Sequence, residues 1–561
     1  MNKSERQASM MPGRFSFLRP SLAIFPWLLV VLAFIPSFGC ANYGVGGTGE
    51  LVVPHDKLHD FDRLTLPPAP ATQATTEPTT MPTTETVETM ELSIEQVRRD
   101  ALANNLDLQV QLFNPTIASE SLKAERAKFE AVFTTDANYS KSESPTITPK
   151  IAGSENKTMS VSPGLRLPLQ IGGEINIDAP QSQDETNNPA AAAQRFYTSG
   201  ADASISLPLL RGFGVAANAQ SIRIAFYSSQ SAQAATKLEV IRVLTDAEKT
   251  YWRLYAARRE LEVRKKEYDL AQAQLDRARR QVTAGALAEV EIIRAESGVA
   301  DTVQSIITAE NVVRQSQRDL KRILHRPDLP LDAPTVLVPS TTPGATPYQL
   351  DPLRLTQQSL RQRMDLLQTE LQIASDTANI DAARNATLPA LSLQYRYGLN
   401  GLGTEYPTAF SEVADKRFET MTAGLHLEIP IGNEAARAHL RAALATRLQT
   451  LATKEQQITQ ITEDVYNAVD TINAAWQSIL AAQKRTILNA RLLEVEIRSF
   501  NQGLRTSTEV LDAQTKLADA QSAEIAAITT YQIAQVDLAF ATGTVLGESR
   551  VDWSPMRAPE Q

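Results

Sequence analysis

VTAGALAEVEIIRAESGVADTV, residues 282–303, and FNQGLRTSTEVLDAQTKLADAQ, residues 500–521, are two writings of one pattern. Each has a Gly (Gly285, Gly503), a Glu six residues on (Glu291, Glu509), an Ala four beyond it, and then an Ala-Asp pair. Both lie inside long helical text. Residues 215–281 and 434–500 contain no Pro or Gly and are rich in Ala, Leu, Gln, Glu and Arg, all favourable helix formers. About 67 residues at a rise of roughly 1.5 Å each predict helices of roughly 100 Å. After each Gly a second helix is expected, over about 288–326 and about 506–543.

The duplication extends upstream. Leu106-Asp107-Leu108 aligns with Met364-Asp365-Leu366, and without a gap Tyr139 then falls on Tyr397. Strand-like alternation follows in both copies. FTTDANYS puts Phe133, Thr135, Ala137 and Tyr139 on one face, and LSLQYRY puts Leu391, Leu393, Tyr395 and Tyr397 on one face. ADASISLPL and TMTAGLHLEIP alternate likewise and end at Pro208 and Pro430. Segments of about ten residues with one apolar and one polar face suit the wall of a transmembrane barrel. The long helices are only modestly apolar, with Leu480, Ile487, Leu488, Ala490 and Leu493 near heptad spacing, as in a coiled coil with wet surfaces. The expected fold class is mainly α with a transmembrane β-barrel, built from a duplicated helix-strand-strand-helix unit.

The boundaries follow from composition. Residues 1–39 read as a signal peptide, basic and then apolar, with Cys40 at the end of the apolar run. Cys40 is either the acylated residue of a lipoprotein or an incidental cysteine beside an ordinary cleavage site. Residues 40–90 form a Pro- and Thr-rich spacer with too little apolar surface to offset the entropy of ordering. Repeat 1 covers 91–330, a linker 331–346, repeat 2 347–546 and a tail 547–561. With 55 basic and 64 acidic residues and no long basic run, a nucleic-acid partner is not expected. GVGGTG at 44–49 lacks the strand and helix a dinucleotide fingerprint needs, and the five histidines show no metal spacing. No enzyme activity and no cofactor are expected.

The tandem repeat, the NNLDL and RMDLL starts, the SLPLLRGFG junction and the NQGLRTSTEVLDA turn together resemble the TolC-like outer-membrane efflux channels, over about residues 92–546. That resemblance implies a homotrimer in the outer membrane. Each copy would give four strands to a twelve-stranded barrel, which continues into a periplasmic helical tunnel. The two turns would form the tunnel tip, where Gly285, Ala286, Leu287, Gly503 and Leu504 meet a periplasmic adaptor of the membrane-fusion class. An inner-membrane pump of RND or ABC type would supply the energy, as in efflux and type I secretion. The resemblance also implies a gate: Glu509 and Asp512 as acidic rings with raised pKa values, Glu291 as the first-copy acid, and Arg505 latching neighbouring helices through acids such as Glu291. Arg294 stands where a second first-copy acid would be, and Phe500 where the family commonly has Tyr. Residues 158–179 read as an additional hairpin around Gly172-Gly173, without a counterpart in repeat 2. They are either an extracellular extension or a re-registered strand. The alternative to a channel is a periplasmic coiled-coil lipoprotein with no pore.

Overall fold

A computed structural model describes residues 88–145 and 153–549. The signal segment, Cys40, most of the Pro/Thr-rich spacer and most of the tail lie outside the described residues. The spacer ends two residues earlier than the composition suggests, because Thr89 and Met90 already belong to a strand.

Two helices set the length of the molecule: α4 (Gln220–Thr283, 64 residues) and α9 (Glu434–Asn501, 68 residues). On the strand side of the molecule they pack with α2 (Leu106–Ala127) and α7 (Met364–Ala386), in the lateral order α2, α4, α7, α9. Toward the paired turns their neighbours are α5 (Val290–Leu324) and α10 (Ser507–Thr542), in the order α5, α4, α10, α9. The expected long helix from 215 is split. A short α3 (Val215–Asn218) precedes α4, and the Asn218 side-chain amide donates to the carbonyls of Gly212 and Gly214, fastening the break to the preceding turn.

The NNLDL and RMDLL starts mark breaks between helices, solved by different chemistry. Asn105 ends α1 (Ile94–Asn104) and caps α2, its side-chain oxygen accepting the Leu108 N–H at 2.9 Å. Arg363 follows α6 (Pro352–Gln362) and forks onto Asp365, with a third bond of 2.8 Å to Asp464 on α9. Burial opposes the Asp365 charge, but the Arg363 fork overrides it and holds this carboxyl below its ordinary range.

A belt closes the middle of the molecule. β1 (Thr89–Leu92) pairs in parallel with β7 (Val336–Pro339), so the expected inter-repeat linker is in part a strand. Beneath it lies the largest apolar core, including Val97, Leu244, Tyr251, Leu254, Leu320 and Leu324. The short α11 (Val545–Glu548) also packs there through Val545.

The remaining strands form one antiparallel sheet: β2 (Val132–Glu143), β3 (Glu155–Pro168), β4 (Glu174–Asp178), β5 (Gln181–Thr186), β6 (Arg195–Pro208), β8 (Ala390–Gly403) and β9 (Phe418–Glu428), the last two joined through α8 (Tyr406–Ala414). β4 and β5 are two halves of one strand. Ile177 faces Leu165 and Ala203, while Gln181 faces Val161 and Ser199, so the register runs on across the Pro180 interruption. The sheet is therefore six strands wide. One copy thus offers six strand positions where the resemblance implied four. Repeat 2 supplies only β8 and β9, as expected, whereas repeat 1 supplies four strand positions because residues 155–186 pair within the same sheet.

The two faces of this sheet are chemically opposite. One carries Phe133, Leu165, Leu167, Ile175, Ile177, Ile205, Leu207, Leu391, Leu393, Tyr395, Tyr397, Met421, Leu425 and Leu427, aligned row by row. The other carries Asp136, Asn176, Asp178, Asp202, Ser204, Gln394, Arg396 and His426. Both edge strands, β2 and β9, are exposed along their whole length. The helix edges are equally bare: Leu106, Val110, Phe113 and Ile117 make an exposed stripe on α2, and Leu444, Leu448 and Leu451 one on α9. Among the described residues no helix is long and apolar enough to cross a membrane.

Candidate docking tip and gate

Both helix ends at the turns use the same backbone device. Gly285 and Gly503 each take φ +74°, the left-handed region where a side chain is strained. The Gly285 N–H donates to the Val282 carbonyl and the Ala286 N–H to Gln281, both at 2.9 Å. Gly503 and Leu504 repeat this with Phe500 and Ser499, at 2.9 and 3.0 Å. This two-bond cap satisfies the last carbonyls of α4 and α9. A Cβ at either Gly would meet no atom within 4 Å, so conformation and not space requires glycine. Gly503→Ala is expected to destabilise the tip by about 1 kcal/mol. Hydrogen exchange at residues 499–507 should accelerate about fivefold while the belt exchanges as before.

Beyond the glycines the copies diverge. α10 opens with a capping box: Thr506 caps the helix and the Glu509 carboxylate takes the Thr506 N–H at 2.6 Å. That backbone hydrogen bond, then the Thr506 hydroxyl and Arg505, hold the Glu509 carboxyl of a single copy below its ordinary range. α5 has no side-chain cap of its own. Its Glu291 instead reaches across to the other hairpin, accepting the Ser507 N–H of α10 at 2.9 Å and pairing with Arg294. Glu291 is 6% exposed. It works as a cap donated by one hairpin to the other.

Within one copy Arg505 does not pair with Glu291. Arg505 binds Glu509 at 2.9 Å and Glu496 at 3.5 Å, both on its own hairpin. Asp512 is exposed and pairs with Lys516 at 2.6 Å. Of the five expected tip residues, Gly285, Ala286, Gly503 and Leu504 are exposed, Leu504 to 73%. Leu287 is not among them, because it packs into the core of the second hairpin with Leu493, Phe500, Val510 and Ala513. Phe500 is fully buried there, where a ring without a hydroxyl needs no partner.

Residues 355–544 match the family model described as outer membrane efflux protein. No curated protein matches the chain in sequence. Among solved structures, CusC is 18% identical with a TM-score of 0.60, covering 80% of this chain and 92% of that one. The CmeC outer membrane channel of Campylobacter jejuni is 15% identical with a TM-score of 0.58, covering 80% and 85%. The open-state MtrE outer membrane channel of Neisseria gonorrhoeae is 18% identical with a TM-score of 0.56, covering 81% and 89%. The TolC-like resemblance carried by the two turns thus holds in sequence over repeat 2 and in fold over most of the chain. That family model describes an efflux protein, not an enzyme.

In this efflux-protein fold a cleft of about 1000 Å³ lies between α5 and α10 over α4, just above the tips. Asp301 and Asp519, the acids of the repeated Ala-Asp pair, both line it, together with Asp512 and Arg294. Arg264 crosses its floor, bonding Glu260 at 2.8 Å, Glu267 at 2.9 Å and Asp519 at 3.3 Å. The sequence reading missed this arginine network. The recurring Asp was its visible half, but nothing in the spacing ties it to α4. Among the described residues no group of His, Cys, Asp and Glu is placed to hold a metal ion.

Proposed function

We propose that three copies assemble into an outer-membrane channel, a passive export duct of a tripartite efflux or type I secretion system. The observation that carries this reading is the sheet: one apolar face, one polar face, two unpaired edges, and long helices leaving from one end. An open sheet of this kind has no stable place in water, and in a bilayer its edges must be paired. β2 and β9 run in opposite senses, so β2 of one copy can pair antiparallel with β9 of the next. The bare stripes on α2 and α9 would meet across the same boundary. Closure puts the polar face around water and the apolar face against lipid.

The exposed tips would dock a periplasmic adaptor, which links the duct to an inner-membrane pump. Gly285, Ala286, Gly503 and Leu504 suit that contact, being accessible backbone turns with one large apolar side chain. Glu509 and Asp512 would ring the axis just inside. A periplasmic coiled-coil lipoprotein with no pore leaves the apolar sheet face without a role.

Planar-bilayer recording of the purified full chain tests the reading. A cation-selective channel formed by a trimer is expected. The double change Glu509→Gln and Asp512→Asn should lower cation selectivity at least twofold. Absence of any channel would reject the function, whereas unchanged selectivity in the double variant would reject only the acidic gate.

A further inference from the structure

We infer that the assembled wall contains eighteen strands, six from each of three copies, and that this wall is as wide as the helical tunnel beneath it. The inference rests on the channel reading above and specifies its bore.

The additional hairpin belongs to the wall and not to a rim above it. β3 pairs with β2 from Val132–Arg166 to Glu143–Glu155, the full length of β2. β4 and β5 pair with β6 from Glu174–Ser206 to Glu185–Arg195. Its side chains also obey the alternation of the sheet. Leu165, Leu167, Ile175 and Ile177 join the apolar face, while Arg166, Asn176 and Asp178 join the polar one.

The turn of the hairpin, Leu169–Gly173, is built into the junction where strands become helices. The Gly214 N–H donates to the Ile171 carbonyl at 2.8 Å. Gly172 has φ +100°, and a Cβ there would lie 2.0 Å from the Gly212 carbonyl oxygen. The glycines of the RGFG junction thus seat the hairpin at the base of the wall, on the helix side.

Circumference gives an independent argument. Strands about 4.8 Å apart and tilted about 40° each occupy roughly 6.3 Å of circumference, so six occupy about 38 Å. Four helices at about 9.5 Å spacing also occupy about 38 Å. The sheet therefore meets the four-helix layer α2, α4, α7, α9 without taper. Four strands would cover only about 25 Å and force the wall to converge. Eighteen strands close at a backbone diameter of about 36 Å, against about 24 Å for twelve, a 1.5-fold difference.

Two measurements on the intact full chain decide this. Electron microscopy of the detergent-solubilised protein should show eighteen strands in cross-section. In planar bilayers, polyethylene glycols of graded size added from the outer side should enter the bore up to a diameter about 1.5-fold beyond the limit for a twelve-stranded wall. A closed wall of twelve strands with residues 155–186 outside it would overturn the inference and leave the channel standing. An assembly with no closed wall would overturn the channel reading itself. Gly172→Val, which drives a side chain into the Gly212 carbonyl, is expected to reduce the yield of assembled trimer severalfold. Unchanged assembly would remove the junction argument.

Discussion

Glu291→Ala is expected to raise the resting conductance of the reconstituted channel more than Arg505→Ala does. Glu291 is the one buried acid that joins the two hairpins at the tip, holding the Ser507 N–H and Arg294 at once. Its removal leaves a buried N–H without an acceptor at the first turn of α10, a cost of about 1–3 kcal/mol. At the tip itself the two hairpins lose this polar tether and keep the Leu287 packing, while Arg264–Asp519 and Gln514–Leu270 still join them further up. Arg505 has two acidic partners, both within its own hairpin, so within one copy losing it does not untie one hairpin from the other. Glu291→Gln retains a carbonyl oxygen for the Ser507 N–H and should behave close to the parent. Equal conductance for Glu291→Ala and the parent, with normal assembly, would refute the tether.

Tyr251→Ala should be the most destabilising single change in the belt, by about 3–5 kcal/mol. Tyr251 is fully buried, packs edge-on against Trp252, and its hydroxyl joins two distant segments. It donates to the Leu92 carbonyl at 3.2 Å and accepts the Thr341 N–H at 2.9 Å. One phenol thus ties the first strand of the described chain and the inter-repeat segment to α4. Tyr251→Phe keeps the ring and should cost only about 1–2 kcal/mol. Hydrogen exchange along β1 and β7 reads the difference, and should accelerate strongly in Tyr251→Ala and modestly in Tyr251→Phe. Equal protection in both variants would show that the hydroxyl and the ring do not hold the belt.

The long helices were legible because their signal is local: helix formers without Gly or Pro over many turns, each ended by a glycine. The strands of repeat 2 and the outer strands of repeat 1 were legible from period-two alternation. β5 was not, because Gln181–Thr186 is polar on both faces and Pro180 interrupts its run. The belt strand Val336–Pro339 was read as linker because four residues gain strand character only through a partner far along the chain. At the tip, the repeat located both glycines and both glutamates. Their partners were not readable, since a recurring offset places an acid on a helix but does not tell which neighbouring hairpin it meets. Glu509 caps its own helix and Glu291 caps the other, from the same offset.

The opposed directions of β2 and β9 restrict how such a wall can change size. A single strand gained by one copy would turn every junction between copies from antiparallel to parallel and disrupt three ladders together. Only a whole hairpin preserves the pairing, so the circumference can grow or shrink only in increments of six strands across the assembly. A lineage of such ducts would differ in calibre by discrete steps, with no intermediate widths between them.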